Sequence, residues 1–406
     1  MSNTKKIAGD CPSLGDDPKC RHNHLHTQGE GVRTFPQPIL VTRPLLPPIP
    51  AITRRMEDIW GAQWLTNMGK QHGILEAALT QHLRVPHLSL LCNGTIALLV
   101  AGKVLDMQGE VITTPFTFAA TPHAVNWTGA EPVFADIDPV TLTLDPKAVE
   151  AAITPRTTTI LAVHVFGMPC DVHALAHLAA KHNLRLLYDG AHAFGLEVEH
   201  TGIGNFGDIT AYSFHATKLF HTAEGGALAC GSAEMHTRIE RCKNFNILSE
   251  ETVGGVGING KLNELQAAVG LAVLEIMDDE RERRARIAAI YREVLGQVPG
   301  VTVQPVLPQV TRESLQYFSI RIHEQEYGLS RNALHAELKK HNVLTRKYFY
   351  PLCSTFECYK KLPSSRPENL PVATRVAAEC MALPFYGALP DEDATTIASM
   401  IRDMPR

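Results

Sequence analysis

The sequence lacks the long apolar runs and the excess of positive charge that would indicate a membrane or a nucleic acid as partner. No stretch approaches the roughly 18 consecutive apolar residues of a transmembrane helix. The formal net charge is −4, which gives no reason to expect binding to nucleic acid or to an anionic membrane. The N-terminus also has no apolar core of a secretory signal. We therefore expect neither a membrane nor a nucleic acid as partner.

The chain also lacks paired cysteines. Its nine cysteines are odd in number and scattered, without any Cys-x-x-Cys pair, which favours a reducing, cytoplasmic location. Cys20, His22, His24 and His26 could in principle hold a metal. Their alternate spacing has no second ligand pair, so we predict no metal site and interpret residues 1–37 as a polar, flexible extension.

The full sequence of 406 residues has the composition of a soluble globular protein, with 45% hydrophobic and 20% charged residues. From about residue 68, short apolar runs alternate with amphipathic stretches, which indicates strands alternating with helices. Such alternation is typical of a mainly parallel sheet covered by helices on both faces. The predicted strands are 87–92, 110–114, 131–138, 157–166, 184–189, 208–214 and 225–231, and the predicted helices are 71–83, 95–106, 119–127, 145–153 and 171–183.

The pattern changes after about residue 260. A long helical stretch over 261–295 is apolar at first and then heavily charged. A strand over 314–322 and helices over 330–342 and 389–404 follow, which predicts a second, smaller α/β domain. We therefore expect an extension over residues 1–37, a large domain over 38–275 and a small C-terminal domain over 276–406.

Three places at predicted strand ends or helix starts carry side chains suited to chemistry. Asn93-Gly94-Thr95 stands between a strand and a helix, where free backbone amides suit a phosphate; a plain helix cap is the alternative. Asp189 ends an apolar strand, and His192 follows it. A buried carboxylate there needs a positive partner such as a protonated ring nitrogen, unless it only caps the next turn.

The third place is the end of the strand over 208–214. Ser213 offers a hydroxyl for a phosphate, and Lys218 follows five residues later among apolar neighbours. Burial lowers the pKa of a lysine and keeps more of its amine uncharged, and the uncharged amine forms a Schiff base. An ordinary surface lysine is mostly protonated and does so less readily. In parallel sheets, ligands bind at the carboxyl ends of the strands. Together these residues predict a flat, phosphorylated, protonatable ring attached to lysine, which fits pyridoxal phosphate (PLP).

Several longer stretches resemble the DegT/DnrJ/EryC1/StrS family of PLP-dependent sugar aminotransferases. The resemblance covers roughly residues 38–406 and includes the stretches CNGTIAL, GEVITTPFTFAATPHAV, EPVFADIDPVTLTLDP, SFHATKLFHTAEGGA, GINGKLNELQAAVGL and LPFYGALPDED. It implies the aspartate-aminotransferase-like PLP fold, known as fold type I. It also implies that L-glutamate and a nucleotide-linked keto-sugar are substrates and that the protein is a homodimer with shared active sites.

The resemblance also assigns roles to individual residues. Lys218 would carry PLP as a Schiff base, and Asp189 would face the pyridinium nitrogen. The other cofactor contacts it implies are His192 and Phe118 on the two ring faces, Gly94, Thr95 and Ser213 at the phosphate, and Asn259 at the phosphate of the neighbouring subunit. Arg346, Lys347 and Tyr348 are candidate contacts to the nucleotide or sugar, with a solvated basic strand edge as the alternative.

Two positions depart from the family pattern. His192 stands where the family often has glutamine, and both residues occur there. Lys261 stands where the family often has arginine, so the residue that binds the donor carboxylate stays open. The stretches LTNMG, CNGT, SFHATK and TRKYFYPL look most like the branch that aminates dTDP-4-keto-6-deoxy-D-glucose to dTDP-4-amino-4,6-dideoxy-D-glucose.

Four other functions are open to such a chain. An aminotransferase for another nucleotide-linked sugar, either a 3-keto sugar or one linked to GDP or UDP, would share the whole pattern. A family branch that dehydrates sugars carries histidine at the position of Lys218. A nicotinamide-dependent oxidoreductase would suit the alternating pattern, but the chain has no G-x-G-x-x-G after an early strand. A non-catalytic PLP-binding regulator would keep the fold and the cofactor without turnover.

Overall fold

The computed structural model describes residues 33–404. The cluster from Cys20 to His26 and most of the predicted extension over 1–37 lie outside this part of the chain. The helices between residues 33 and 404 are α1 Ile49–Ala62, α2 Lys70–Leu83, α3 Gly94–Val104, α4 Ala120–Trp127, α5 Pro146–Ala152, α6 Val172–His182, α7 Ala233–Cys242, α8 Glu264–Leu274, α9 Met277–Leu295, α10 Glu324–Tyr327, α11 Arg331–Lys340, α12 Pro371–Glu379 and α13 Asp391–Asp403.

The strands within the same range are short. They are β1 His87–Leu91, β2 Glu110–Thr113, β3 Glu131–Phe134, β4 Thr157–Val163, β5 Arg185–Asp189, β6 Glu197–Val198, β7 Thr201–Gly202, β8 Ile209–Ser213, β9 Gly226–Cys230, β10 Ile247–Ser249, β11 Thr252–Val253, β12 Val301–Val303, β13 Val310–Arg312, β14 Ser319–Ile322 and β15 Cys380–Ala382.

The central sheet has seven strands in the order β1-β9-β8-β5-β4-β2-β3. All neighbouring pairs from β8 to β3 are parallel, and β9 runs antiparallel to both β8 and β1. The prediction of a mainly parallel sheet is thus confirmed. Alternate residues of one strand pack into different apolar clusters: Leu186 and Tyr188 face one layer, and Leu187 faces the other. The sheet is therefore covered on both faces, which explains why its strands are apolar at nearly every position.

Local sequence signals account for several helix starts. Asn93 caps α3 by accepting a hydrogen bond from the amide of Ile96 at 2.8 Å. Asp171 caps α6 in the same way through the amide of Ala174 at 3.0 Å, as its place before the predicted helix indicates. Ser330 does so for α11. These caps fix where the chain leaves each strand or loop to enter a helix.

The predicted helical stretch over 261–295 is wrong in one respect, because it divides into α8 and α9. Asn263 and Gln266 form a capping box at the start of α8, and Ile276 leaves helical geometry before α9 begins. Three acidic residues fill the first turn of α9, where the helix dipole favours negative charge.

The predicted strand over 314–322 is also too long, since β14 begins only at Ser319. Residues 314–318 form an irregular segment instead, with a left-handed backbone at Leu315 (φ 54°) and a bend at Gln316.

The C-terminal half has its own apolar core. The antiparallel strands β12, β14 and β15 pack with α9, α11 and α13 around it. The chain from Arg33 to Val41 runs along this half: Phe35 donates its amide hydrogen to the carbonyl of His341, and Ile39 does so to that of Asn342. The domain boundary near residue 275 remains a proposal, supported by the separate apolar clusters. Among the described residues, no helix is both long and apolar enough to span a bilayer.

Candidate active site

A cavity of about 600 Å³ opens at the carboxyl edge of the central sheet. The last residues of β4, β5 and β8 line it, together with the N-terminus of α3. Residues from the C-terminal half, including Tyr317 and Tyr348, close its other side. Its size suits a cofactor with a small substrate. The position agrees with the rule that parallel sheets bind ligands beyond their carboxyl ends.

Lys218 lies in this cavity on the loop that follows β8. The side chain is half-buried, and within residues 33–404 no hydrogen bond or ion pair holds its ammonium. The Nζ atom lies 5.8 Å from the centre of the Tyr317 ring. Burial lowers the pKa of Lys218 from 10.5 to about 8, although the charges of Asp189 and Tyr348 act in the opposite direction. A substantial fraction of the amine is therefore neutral near pH 8.

Asp189 is the last residue of β5 and is 6% exposed. Its Oδ2 atom accepts a hydrogen bond from the Thr121 hydroxyl at 2.8 Å, and Oδ1 accepts one from the amide of Ala191 at 3.0 Å. Burial raises the pKa of the carboxyl group, and these two hydrogen bonds and the charge of Lys218 oppose that shift. A cation placed against this carboxylate would relieve the unfavourable burial.

His192 stands at the other wall of the cavity and is 5% exposed. Its Nδ1 atom accepts a hydrogen bond from the amide of Phe166 at 3.2 Å. Burial, reinforced by the charge of Lys218, lowers the pKa of His192 well below its ordinary value. The ring is therefore neutral, and the acceptor role of Nδ1 places the proton on Nε2. The Tyr317 ring meets it edge-on at 5.0 Å.

The phosphate-binding residues predicted from the sequence come together at the N-terminus of α3. Gly94 and Thr95 are the first two residues of this helix, where backbone amides have no intrahelical acceptor. Ser213, the last residue of β8, lies so close that a Cβ atom on Gly94 would stand 2.7 Å from the Cβ of Ser213. Gly226 is equally constrained, since a Cβ there would stand 2.7 Å from the backbone of Asn93. Glycine at both positions keeps this corner open.

The other predicted contacts are more dispersed. Phe118 lines the cavity with 64% of its surface exposed, and Tyr348 lines the opposite side. Arg346 and Lys347 do not line the cavity; the Arg346 guanidinium lies over the Tyr348 ring at 5.4 Å. Asn259 is exposed on the loop before α8, outside the cavity. The roles assigned to all five residues stay predictions.

Lys261, at the position that departs from the family pattern, donates a hydrogen bond from Nζ to the side chain of Asn244 at 2.9 Å. The two histidines beside Lys218 differ in setting. His215 lines the cavity near Glu224, with 3.6 Å between Nε2 and Oε1. His221 is buried away from it and bonds the carbonyl of Leu45 at 2.8 Å. Only His215 is therefore placed to meet a ligand.

The sequence did not indicate two residues of the site: Thr121, which bonds Asp189, and Tyr317, which lines the cavity. Thr121 lies 68 positions from Asp189, and no local pattern connects them. Tyr317 falls inside the predicted strand over 314–322, whereas in the structure it precedes β14. The polar pair Ser314 and Gln316 interrupts the apolar pattern there and was the one signal that could have indicated a non-strand segment.

The expected cofactor fits the residues that line the cavity. A helix N-terminus with a glycine and a serine hydroxyl suits a phosphate group. A half-buried lysine without an ion-pair partner suits a Schiff base, and a buried carboxylate suits a protonated ring nitrogen. The exposed Phe118 ring and the buried His192 ring provide flat surfaces within the same cavity. The cavity therefore offers suitable residues for each part of PLP: its phosphate, its aldehyde and its ring.

The chain matches the model of the DegT/DnrJ/EryC1/StrS aminotransferase family over residues 50–402. It is 42% identical over 369 residues to the dTDP-4-amino-4,6-dideoxy-D-glucose transaminase of Shigella dysenteriae, covering 91% of this chain and 99% of the relative. The protein of the same name from Escherichia coli is 40% identical and covers 89% of this chain and 98% of its own.

Among solved structures, the fold is similar to that of DesI in the presence of its TDP-sugar product. The TM-score is 0.86 at 37% sequence identity, covering 92% of this chain and 94% of the other. The chain thus shares sequence and fold with sugar aminotransferases along nearly its whole length. It belongs to the DegT/DnrJ/EryC1/StrS aminotransferase family and is a PLP-dependent aminotransferase.

Proposed function

We propose that the protein transfers the amino group of L-glutamate to dTDP-4-keto-6-deoxy-D-glucose and forms dTDP-4-amino-4,6-dideoxy-D-glucose. The observation that carries the reaction type is the half-buried Lys218 amine, which faces the same cavity as Asp189. The names of the Shigella and Escherichia relatives support the choice of sugar. The likeness to DesI with a TDP-sugar supports the choice of nucleotide.

Each of the predicted cofactor contacts has a place in this proposal. Lys218 would hold PLP covalently, and Asp189 would face its ring nitrogen. His192 and Phe118 would cover the ring, while Gly94, Thr95 and Ser213 would bind the phosphate. When bound, PLP supplies the electron sink that amino-group transfer requires.

Lys218 has the properties of the proton carrier. An amine with a pKa of about 8 can accept a proton from a carbon acid near neutral pH and return it later. Burial raises the pKa of Asp189, and the hydrogen bonds from Thr121 and Ala191 oppose that rise and favour the charged carboxylate. His192 is neutral and adds no positive charge beside Lys218. It therefore does not lower the pKa of the Lys218 amine further, as a neighbouring cation would.

The sugar nucleotide would enter over the exposed side of the cavity. Tyr348 lines the cavity and presents a hydroxyl that could bond a sugar oxygen. Arg346 and Lys347 precede it on the chain and would meet the diphosphate outside the cavity. Arginine suits such a group because it can donate two parallel hydrogen bonds.

A reaction with defined substrates tests the proposal. Purified protein reconstituted with PLP should convert L-glutamate to 2-oxoglutarate and dTDP-4-keto-6-deoxy-D-glucose to the amino sugar, both detected by mass spectrometry. Lys218→Ala should do neither, and borohydride should fix PLP to Lys218 in the unaltered chain. Transfer only to a 3-keto sugar or to a GDP- or UDP-linked sugar would contradict the sugar assignment. Cofactor binding without 2-oxoglutarate would indicate the regulator instead.

We also propose a homodimer in which Asn259 of one subunit reaches the phosphate site of the other. Asn259 is exposed and lies outside its own cavity, and large apolar side chains are exposed in α1, in the following loop and in the β10–β11 region. These are Trp60, Trp64, Leu65, Phe245, Leu248, Val253 and Val256. Exposed apolar patches of this kind are typical of protein interfaces.

A complementation experiment tests the shared site. Lys218→Ala and Asn259→Ala subunits are each expected to be inactive alone. If they exchange, half of the dimers are mixed and one of their two sites has both residues intact. Mixing should therefore restore roughly a quarter of the activity. No recovery after demonstrated subunit exchange would contradict the shared site.

We also propose a cytoplasmic location, which the unpaired cysteines of the described residues support.

A further inference from the structure

The backbone around Lys218 is bonded by a side chain from the C-terminal half. Gln316 accepts a hydrogen bond from the amide of Leu219 at 2.6 Å through Oε1. The same side chain donates from Nε2 to the carbonyl of Thr217 at 3.2 Å. One amide group therefore bridges the peptide groups on both sides of Lys218. We call this pair of contacts the Gln316 bridge.

The hydrogen bond from the Leu219 amide to Gln316 is buried, whereas the one to the carbonyl of Thr217 is only partly buried. Gln316 is 2% exposed, and Leu219 is fully buried. A buried peptide group that loses its partner costs about 1–3 kcal/mol. Without Gln316, the amide of Leu219 would have to find water or another acceptor, so the loop over 215–222 would have to move. That movement would displace Lys218, because it lies between the two bonded residues.

The segment that carries Gln316 is itself firmly held. Arg284 of α9 donates from Nη1 to the carbonyls of Leu315 and Gln316 at 3.2 and 3.4 Å. The guanidinium is 1% exposed and pairs with Glu280 at 2.6 Å. Glu280 in turn accepts a hydrogen bond from the amide of Gly387 at 2.8 Å. A buried ion pair thus fixes the position from which Gln316 reaches the lysine loop.

The neighbouring residue extends the same contact into the cavity. Tyr317 lies 5.8 Å from Nζ of Lys218 and meets the His192 ring edge-on. Gln316 therefore holds the backbone of Lys218, while Tyr317 borders its amine. Two consecutive residues before β14 thus contact the backbone beside Lys218 and its terminal amine.

We propose that Gln316 is a positioning residue for Lys218 and that it makes the C-terminal half necessary for a correctly placed amine. The proposal rests on the proposed role of Lys218 in PLP binding. A misplacement of about 1 Å at a reacting group can reduce the rate by roughly 100-fold. Loss of the bridge should therefore reduce PLP capture and kcat by roughly 10- to 100-fold, with little change in the KM for glutamate.

Hydrogen exchange of the cofactor-free protein tests the bridge independently of activity. In Gln316→Met, peptides covering the lysine loop should exchange faster than in the unaltered chain. Gln316→Glu keeps an acceptor for the Leu219 amide but lacks the donor to Thr217, so exchange at Leu219 should stay slow. Gln71→Met is the matched control, because Gln71 is equally buried and belongs to α2, outside the cavity. It should leave exchange in the lysine loop unchanged.

Absorbance-monitored PLP capture and steady-state kinetics on the same variants test the consequence. Gln316→Met should capture PLP and turn over more slowly, Gln316→Glu should be intermediate, and Gln71→Met should match the unaltered chain. Unchanged exchange in Gln316→Met, or faster exchange with normal PLP capture, would overturn the proposal. If Gln316→Met does not fold, Gln316→Glu decides: a capture rate equal to that of the unaltered chain would overturn it. Failure of borohydride to fix PLP to Lys218 in the unaltered chain would contradict the proposed function separately.

Discussion

Lys218 of the cofactor-free protein should react as a neutral amine at pH values where an ordinary lysine is almost fully protonated. Its pKa falls from 10.5 to about 8, mainly because the side chain is buried. At pH 7 the neutral fraction is then about one in ten, compared with about one in 3,000 for a lysine at its ordinary pKa. The structure thus gives Lys218 roughly 300-fold more reactive amine at this pH.

Trace labelling with an amine reagent measures this difference. The protein without PLP is labelled over about pH 6 to 10, digested, and the peptide that contains Lys218 is compared with exposed lysines in the same digest. Limited access slows labelling by a constant factor, so the midpoint of the pH profile is the quantity to read. We expect a midpoint near 8, and Lys218→Arg identifies the peptide signal. A midpoint near 10.5 would refute the inference that burial keeps the amine neutral.

The same pKa shift must also appear in stability. The folded chain disfavours the protonated amine, so the unfavourable contribution is complete below about pH 8 and disappears as the pH rises towards 10.5, where the unfolded lysine loses its proton. Lys218→Met should therefore raise the free energy of unfolding at pH 7 by up to about 3 kcal/mol. Urea denaturation at several pH values checks this. A gain that does not shrink above pH 8 would argue for a packing effect.

Three further predictions concern neighbouring residues. Asp189→Asn removes the charge that favours protonation of Lys218, so the labelling midpoint should fall; a rise would contradict the electrostatic assignment. Thr121→Val removes a hydrogen bond to Asp189 and should lower kcat about fivefold, as expected for about 1 kcal/mol, and unchanged kinetics would count against it. Glu280→Gln leaves the Arg284 guanidinium buried without its carboxylate and should lower the free energy of unfolding by about 3–5 kcal/mol; an unaltered denaturation midpoint would rule this out.

The part of the site that the sequence predicted is the part that strand ends bring together. Asp189 and Ser213 end neighbouring parallel strands, and Lys218 and the start of α3 follow directly from strand ends. Alternation of apolar strands and helices is visible in the sequence, and the sheet topology then requires these residues to meet at one edge. The family resemblance supplied the assignment of Phe118 and Asn259, which no periodicity could have given.

The part that could not be predicted comes from contacts between distant segments. Thr121 touches Asp189, and Gln316 bridges the loop of Lys218, across separations of 68 and about 100 residues. Hydrogen bonds of this kind depend on how two halves pack, and packing leaves no local pattern. The break between α8 and α9 is similar: both parts have helical patterns, Ile276 between them is not helical, and the buried residues of α9 beyond Met277 belong to a different apolar cluster from those of α8.

The low pKa of Lys218 is therefore a property of the packing of the two halves and not of the lysine loop alone. The first half supplies Asp189, whose charge raises the pKa of the amine, whereas the second half places the Tyr317 ring 5.8 Å from the Nζ atom and lines the same cavity. If the halves separated, the loss of burial would return the pKa of the amine towards 10.5. The amine would then be protonated and less able to hold the cofactor. Correct docking of the second half thus prepares Lys218 electrostatically as well as sterically, which explains why a segment without any catalytic side chain is built so rigidly around Glu280 and Arg284.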